Sequence, residues 1–217
     1  MLSDPADVQH ILMDNPSNYV KSPRIVGPQG RRLWGDTLLA LQGESQRRRR
    51  VELAPLFDRE ALEDYLNRWN QQVDQTLSNW SDGCEIELCS ELDRLARQGI
   101  LAMVFGRPRP ELLEALQRRQ KWVERGLSWP WPGKDPSGPL RQACLADSTG
   151  RQGMHWRSQQ LNLPAETRTR ELVSLLISGF EATAPWLIWS VFLLATHGPV
   201  QEELARGELS AEQVGKE

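Results

Sequence analysis

Cysteine and histidine are scarce in this chain of 217 residues, with three of each and no clustering. Cys84, Cys89 and Cys144 are an odd number without a Cys-x-x-Cys pair, and His10, His155 and His197 lie far apart. A disulfide framework and a zinc site are not expected, and no metal ligand is assigned. That cysteine usage points to a reducing compartment, so a cytoplasmic location is expected. A basic surplus is lacking too. The formal net charge of -3 argues against a nucleic-acid binder, although Arg31, Arg32 and Arg47 to Arg50 make the early part locally basic. There is no internal repeat and no low-complexity tract, and Asp4-Pro5 follows Met1 too closely for a signal peptide. What is present, 25% charged and 39% apolar residues, suits a soluble globular protein with one large domain or at most two small ones. Nine tryptophans, several at helical spacing, read mainly as core.

Helix signals dominate the chain. Asp4, Pro5 and Asp7 start a helix whose stripe, Val8, Ile11 and Leu12, ends at Asn15-Pro16. A loop is expected through Pro23, Gly27, Pro28 and Gly30, then a short helix from about Glu44 to Leu53. Asp58 caps a longer helix in which Leu62, Tyr65, Leu66, Trp69, Val73, Leu77 and Trp80 recur at three and four. Glu85 to Cys89 alternates like a brief strand. Ser90 is expected to cap a helix to about Phe105, stopped by Gly106 and Pro108. Pro110 opens another, with Leu113, Leu116 and Val123 on one side. Residues 130–163 read as an irregular, Pro/Gly-rich and weakly helical connection. Pro164 then starts a long apolar helix, and Pro199 a short one ending near Gly207. The expected class is mainly α, with little sheet.

The long helix carries the sharpest question. From Leu172 to Thr196, roughly 37 Å of helix holds a single charge, Glu181. Beside it, Gly179 offers a large flat ligand access to the backbone, and Thr183 can relay a proton. Pro185 removes the amide that would bond the Glu181 carbonyl, so a bend is expected. Two plainer readings stand beside this one. The length permits a membrane span, but an acid near the midpoint costs roughly 2.5–3.5 kcal/mol to insert. Trp186 and Trp189 also lie inside the segment rather than at its ends, so no membrane span is expected. Alternatively this is a core helix whose lone acid pairs with a distant arginine. The arginine run is equally open. Four successive residues fan around most of a helix, which suits a solvated face, yet Gln46 and Arg50 are four apart and can point together at one anionic group.

Both regions resemble parts of the cytochrome P-450 family of haem-thiolate monooxygenases, and the resemblance covers nearly the whole chain. Gly43-Glu-Ser-Gln-Arg-Arg-Arg-Arg50, continuing to Leu53-Ala-Pro-Leu-Phe57, is similar to the family's third helix. There a Trp or His and an Arg four residues later bind haem propionates, positions that fall on Gln46 and Arg50. Ser178-Gly-Phe-Glu-Ala-Thr183 is similar to the oxygen-binding motif Ala/Gly-Gly-x-Asp/Glu-Thr-Thr. Trp189 to His197, Val200 to Leu204, Asp4 to Leu12 and Asn18 to Lys21 continue the match in the right order.

The resemblance implies insertion of one oxygen atom from dioxygen into an apolar small molecule. Haem b would be the cofactor, and a ferredoxin or reductase the electron donor. It places Glu181 and Thr183 in proton delivery. Gln46, Arg50, Ser178, Gly179 and Ala182 would border the haem, with Phe180 facing haem or substrate. Two departures qualify this. Ala182 stands where the family has its first threonine, and proton delivery needs a hydroxyl within reach. The family's Glu-x-x-Arg helix and Phe-x-x-Gly-x-x-x-Cys loop, whose cysteine holds the iron, do not occur in these residues, and none of the three cysteines is promoted to that role. The expectation is a single partial domain over residues 1–217, lacking the haem-ligand half and inactive by itself. A non-catalytic helical remnant or interaction protein is the alternative, and a membrane-anchored helical protein the third choice.

Overall fold

In the computed structural model, which describes residues 4–128, 133–146 and 151–207, every regular element is helical. Prolines set the early starts. Pro5 opens α1 (Pro5–Gln9), where Asp4 Oδ1 accepts a hydrogen bond from the Ala6 amide at 2.8 Å, and a wider turn follows over His10–Asp14. The expected loop through Pro23 and Gly30 is instead α2 (Pro23–Val26) and α3 (Pro28–Trp34). A proline in a first helical turn forfeits no internal hydrogen bond and has its φ already set, so these residues begin helices rather than break them.

Next comes α4 (Gly43–Leu53), near its expected bounds. Asp58 caps α5 (Arg59–Leu77), its Oδ1 accepting from the Ala61 amide at 2.7 Å. The face that α5 buries differs from the expected stripe. Ala61, Tyr65, Gln72 and Thr76 are buried, whereas Leu62, Leu66 and Leu77 are exposed. The strand expected at Glu85 to Cys89 does not form. Glu87, not Ser90, caps α6 (Leu88–Phe105), accepting from the Ser90 amide at 2.7 Å, where a carboxylate also complements the helix dipole. Gly106 ends α6 in the left-handed region at φ 73°, a conformation glycine adopts without strain.

Pro110 opens a short turn before α7 (Leu113–Ser128), with Leu116 and Val123 buried. The connection expected over 130–163 contains α8 (Gly138–Leu145) and α9 (Gly153–Ser158). Residues 129–132 and 147–150 of that stretch lie outside the described residues. Then α10 (Ala165–Thr196) runs helical through Pro185, and α11 (Gly198–Ala205) follows. At the centre, α6 packs against both α5 and α10, with α9 also against it. Leu101, Val104, Leu172, Leu176, Ile177 and Phe180 form the dry middle of this packing, each worth about 1.5–3 kcal/mol in burial.

Candidate cofactor face of the long helix

One buried ion pair fixes α4 against α10. Glu171, 2% exposed, accepts from Arg49 Nη1 at 2.5 Å and from the Leu38 amide at 3.1 Å to each carboxylate oxygen. Burial pushes the Glu171 carboxyl up, and the Leu38 amide and Arg49 oppose that push. Arg49 also donates to Glu52 at 3.0 Å and to the Asp36 carbonyl at 3.3 Å. The turn carrying Leu38 is itself held by Lys21, whose ammonium donates to the carbonyls of Leu38, Leu39 and Leu41, each at 2.9 Å. None of this was visible locally, because Arg49 and Glu171 are 122 positions apart.

With Arg49 turned inward, its neighbour Arg50 is exposed and Gln46 half-buried. Their side chains have no hydrogen-bond or ion-pair partner among the described residues. The Arg49–Glu171 contact lies ten residues, or roughly 15 Å of helical rise, before Glu181.

On α10 the candidate residues divide between faces. Gly179 points at α6: a Cβ there would lie 2.7 Å from Ile100 Cδ1. On that side the space is taken by a neighbouring helix. Phe180 is fully buried with the Arg97 guanidinium 4.2 Å from its ring centroid, so it faces core and not an open site. Ala182 is exposed and, with Thr183, Trp186, Leu187 and Trp69 of α5, borders an open, mainly apolar cavity of about 450 Å³. Gln46 and Arg50 do not line it.

The hydroxyls of Ser178 and Thr183 are committed to the backbone of α10. Thr183 Oγ1 donates to the Gly179 carbonyl at 2.6 Å, and Ser178 Oγ to the Ser174 carbonyl at 3.0 Å. Such back-bonding leaves their lone pairs available but occupies the proton. Glu181 is half-buried and has no ion pair among the described residues, so the arginine-paired core reading finds no partner there. Burial, and secondarily the charge of Glu124 on α7, raise its carboxyl above the ordinary range.

Cys84 and Cys89 are exposed, and burial pushes the Cys144 thiol up to about 12. Among the described residues no group of three or more His, Cys, Asp or Glu is placed to hold a metal ion.

This order of helices, with one long apolar helix packed on a central one, is a partial cytochrome P450 fold. The chain superimposes on retinoic-acid-bound cyanobacterial CYP120A1 with a TM-score of 0.67 and 20% identity, over 83% of this chain and 48% of that one. Cytochrome P450EX alpha (CYP152N1) with myristic acid matches at TM-score 0.57 and 15% identity, over 80% and 45%. In sequence the chain resembles "Putative cytochrome P450 138" of Mycobacterium bovis and of Mycobacterium tuberculosis, at 26% identity over an alignment covering 84% of this chain. It spans about half the length of these curated relatives. No protein-family model matches it.

Proposed function

We propose that this chain supplies the propionate-binding and oxygen-side helices of a haem-dependent monooxygenase acting on an apolar small molecule. The exposed face of α10 at Ala182, beside an apolar cavity in a partial P450 fold, is the observation that carries this reading. The residues fit one end of a haem and not the other. Arg50 presents an exposed guanidinium without a carboxylate partner among the described residues, and Gln46 lies one turn away on the same side of α4. Together they suit a propionate. For the iron, the Cys144 thiol is buried and held protonated, and Cys84 and Cys89 lie at or just before the start of α6, far in sequence from both motifs.

Bound haem would supply the oxygen chemistry. In this reading Gln46 and Arg50 hold its charged edge, and Ser178 and Ala182, one turn apart on α10, border its face. Glu181 would gate protons, with its carboxyl raised above the ordinary range by burial. Thr183 is a poor donor while its hydroxyl bonds Gly179. The small side chain at Ala182 leaves room for a water or a substrate hydroxyl in place of the family's threonine. In this reading none of the three cysteines is assigned to the iron, and the chain by itself does not complete turnover. A ferredoxin or reductase would deliver electrons to the assembled enzyme, and a cytoplasmic setting suits this reading. Among the described residues α10 is the one helix long and apolar enough to cross a membrane. Its Glu171 anchor and half-buried Glu181 favour a place within the protein.

Haemin titration of the chain, followed by absorbance, tests this. One equivalent should bind, and Arg50→Ala should weaken binding about tenfold, the loss of one charge-assisted contact. No shifted band, or equal binding by the variant, overturns the assignment and favours a non-catalytic helical protein.

A further inference from the structure

A second cavity, of about 520 Å³, lies near the other end of α10, within the size range of small-molecule sites. Four helices bring arginines to it: Arg31 and Arg32 from α3, Arg119 from α7, Arg141 from α8 and Arg170 from α10. Asp36 and Asp135 are the acids in its wall. Glu166 stands beside it, paired with Arg141 and, at 3.1 Å, with Arg170. Arg32 apart, four of these cations face three acids among the described residues, and a concave wall concentrates their potential.

Arg119 is the residue that asks for a ligand. It is 4% exposed, deeper than any other arginine of this cavity. One Nη donates to the Leu33 carbonyl, but Nε and the second Nη have no hydrogen-bond acceptor among the described residues. Asp135 Oδ1 lies 3.3 Å from Nε, an ion pair without hydrogen-bond geometry, and that carboxylate also accepts from the Ser137 amide and hydroxyl. The Trp122 and Trp34 rings, 4.5 and 5.8 Å from the guanidinium carbon, support the charge but accept no conventional hydrogen bond. Unpaired donors on a buried cation are rare in folded proteins, and an ordered anion is one way to satisfy them.

We propose that this cavity binds a small organic oxyanion carrying two or more charges, a carboxylate or a phosphate, with Arg119 at its floor and Arg31, Arg141 and Arg170 at its rim. Planar guanidinium groups recognise either chemistry by paired N–H donors. Leu33, Trp34 and Val173 give the body of the ligand an apolar wall. The site does not depend on haem, so the two proposals fail separately.

Calorimetric titration of the 217-residue chain with citrate and with pyrophosphate, at constant ionic strength set by sodium chloride, is the test. Saturable binding of at least one probe is expected. Citrate alone would assign a carboxylate ligand, pyrophosphate alone a phosphate, and both a site read chiefly through charge. The rim variants Arg31→Gln and Arg170→Gln should each weaken it by about tenfold, one charge-assisted contact apiece. Neither probe binding, or rim variants binding like the parent, overturns the proposal and leaves the arginines a purely structural role. Phenylglyoxal labelling of the unaltered chain gives a readout free of folding effects. The bound probe should slow modification of Arg31 and Arg141, and unchanged rates would count as overturning.

Discussion

The two halves of α10 are similarly apolar in sequence and differ in what covers them. From Thr169 to Ala184 the helix buries Leu172, Val173, Leu176, Ile177 and Phe180 against a core shared with α6 and α8. From Pro185 onward, Trp186 and Trp189 are 68% and 62% exposed, and Phe192 and Leu193 are exposed with them. Apolar residues declare a demand for burial, but not what meets it. In the first half the demand is met within the described residues. The second half presents an apolar surface of the kind that binds partners or cofactors.

The sharpest way to break this contrast is at its anchor. Glu171→Ala strands a largely buried Arg49 and the Leu38 amide, and should cost about 3–5 kcal/mol in urea unfolding. Next, Leu176→Ala should cost about 2–5 kcal/mol as a core cavity, whereas Trp189→Ala should stay within about 0.5 kcal/mol as an exposed change. Equal costs for those two would erase the distinction between the halves. Gly179→Val drives a side chain into Ile100 and should cost about 1–3 kcal/mol by overpacking. Retained stability there would mean that the space above Gly179 is open after all.

The smallest effect concerns pH at the junction. Burial and Glu124 raise the folded-state pKa of Glu181, so the folded chain holds this proton more tightly than the unfolded chain. Stability from this group is present below the unfolded pKa and is lost as pH rises through the folded pKa. Glu181→Gln should therefore raise the urea midpoint at neutral pH and leave it nearly unchanged at acid pH. A lower midpoint at neutral pH would mean that the carboxylate has a stabilising partner.

Helices with strong caps were legible: Asp4, Asp58 and Gly106 end or start elements where local chemistry demands it. Prolines at 23 and 28 misled because the same residue breaks a helix interior and starts a first turn. Alternation at Glu85 to Cys89 suggested a strand, but no partner strand exists among the described residues, and Glu87 can cap a helix instead. At the candidate site, Arg50 and Ala182 fall where an outside ligand can reach them. The inward turn of Arg49, the packing of Ile100 on Gly179 and the burial of Phe180 depend on distant contacts. No local pattern encodes those.

Hydrogen exchange read by mass spectrometry, with and without one equivalent of haemin, tests the cofactor face most directly. New protection is expected at residues 46–50 and at 178–189, with little change around Arg119 and Arg170. Protection absent from those two segments, or confined to the arginine-lined cavity, would contradict it.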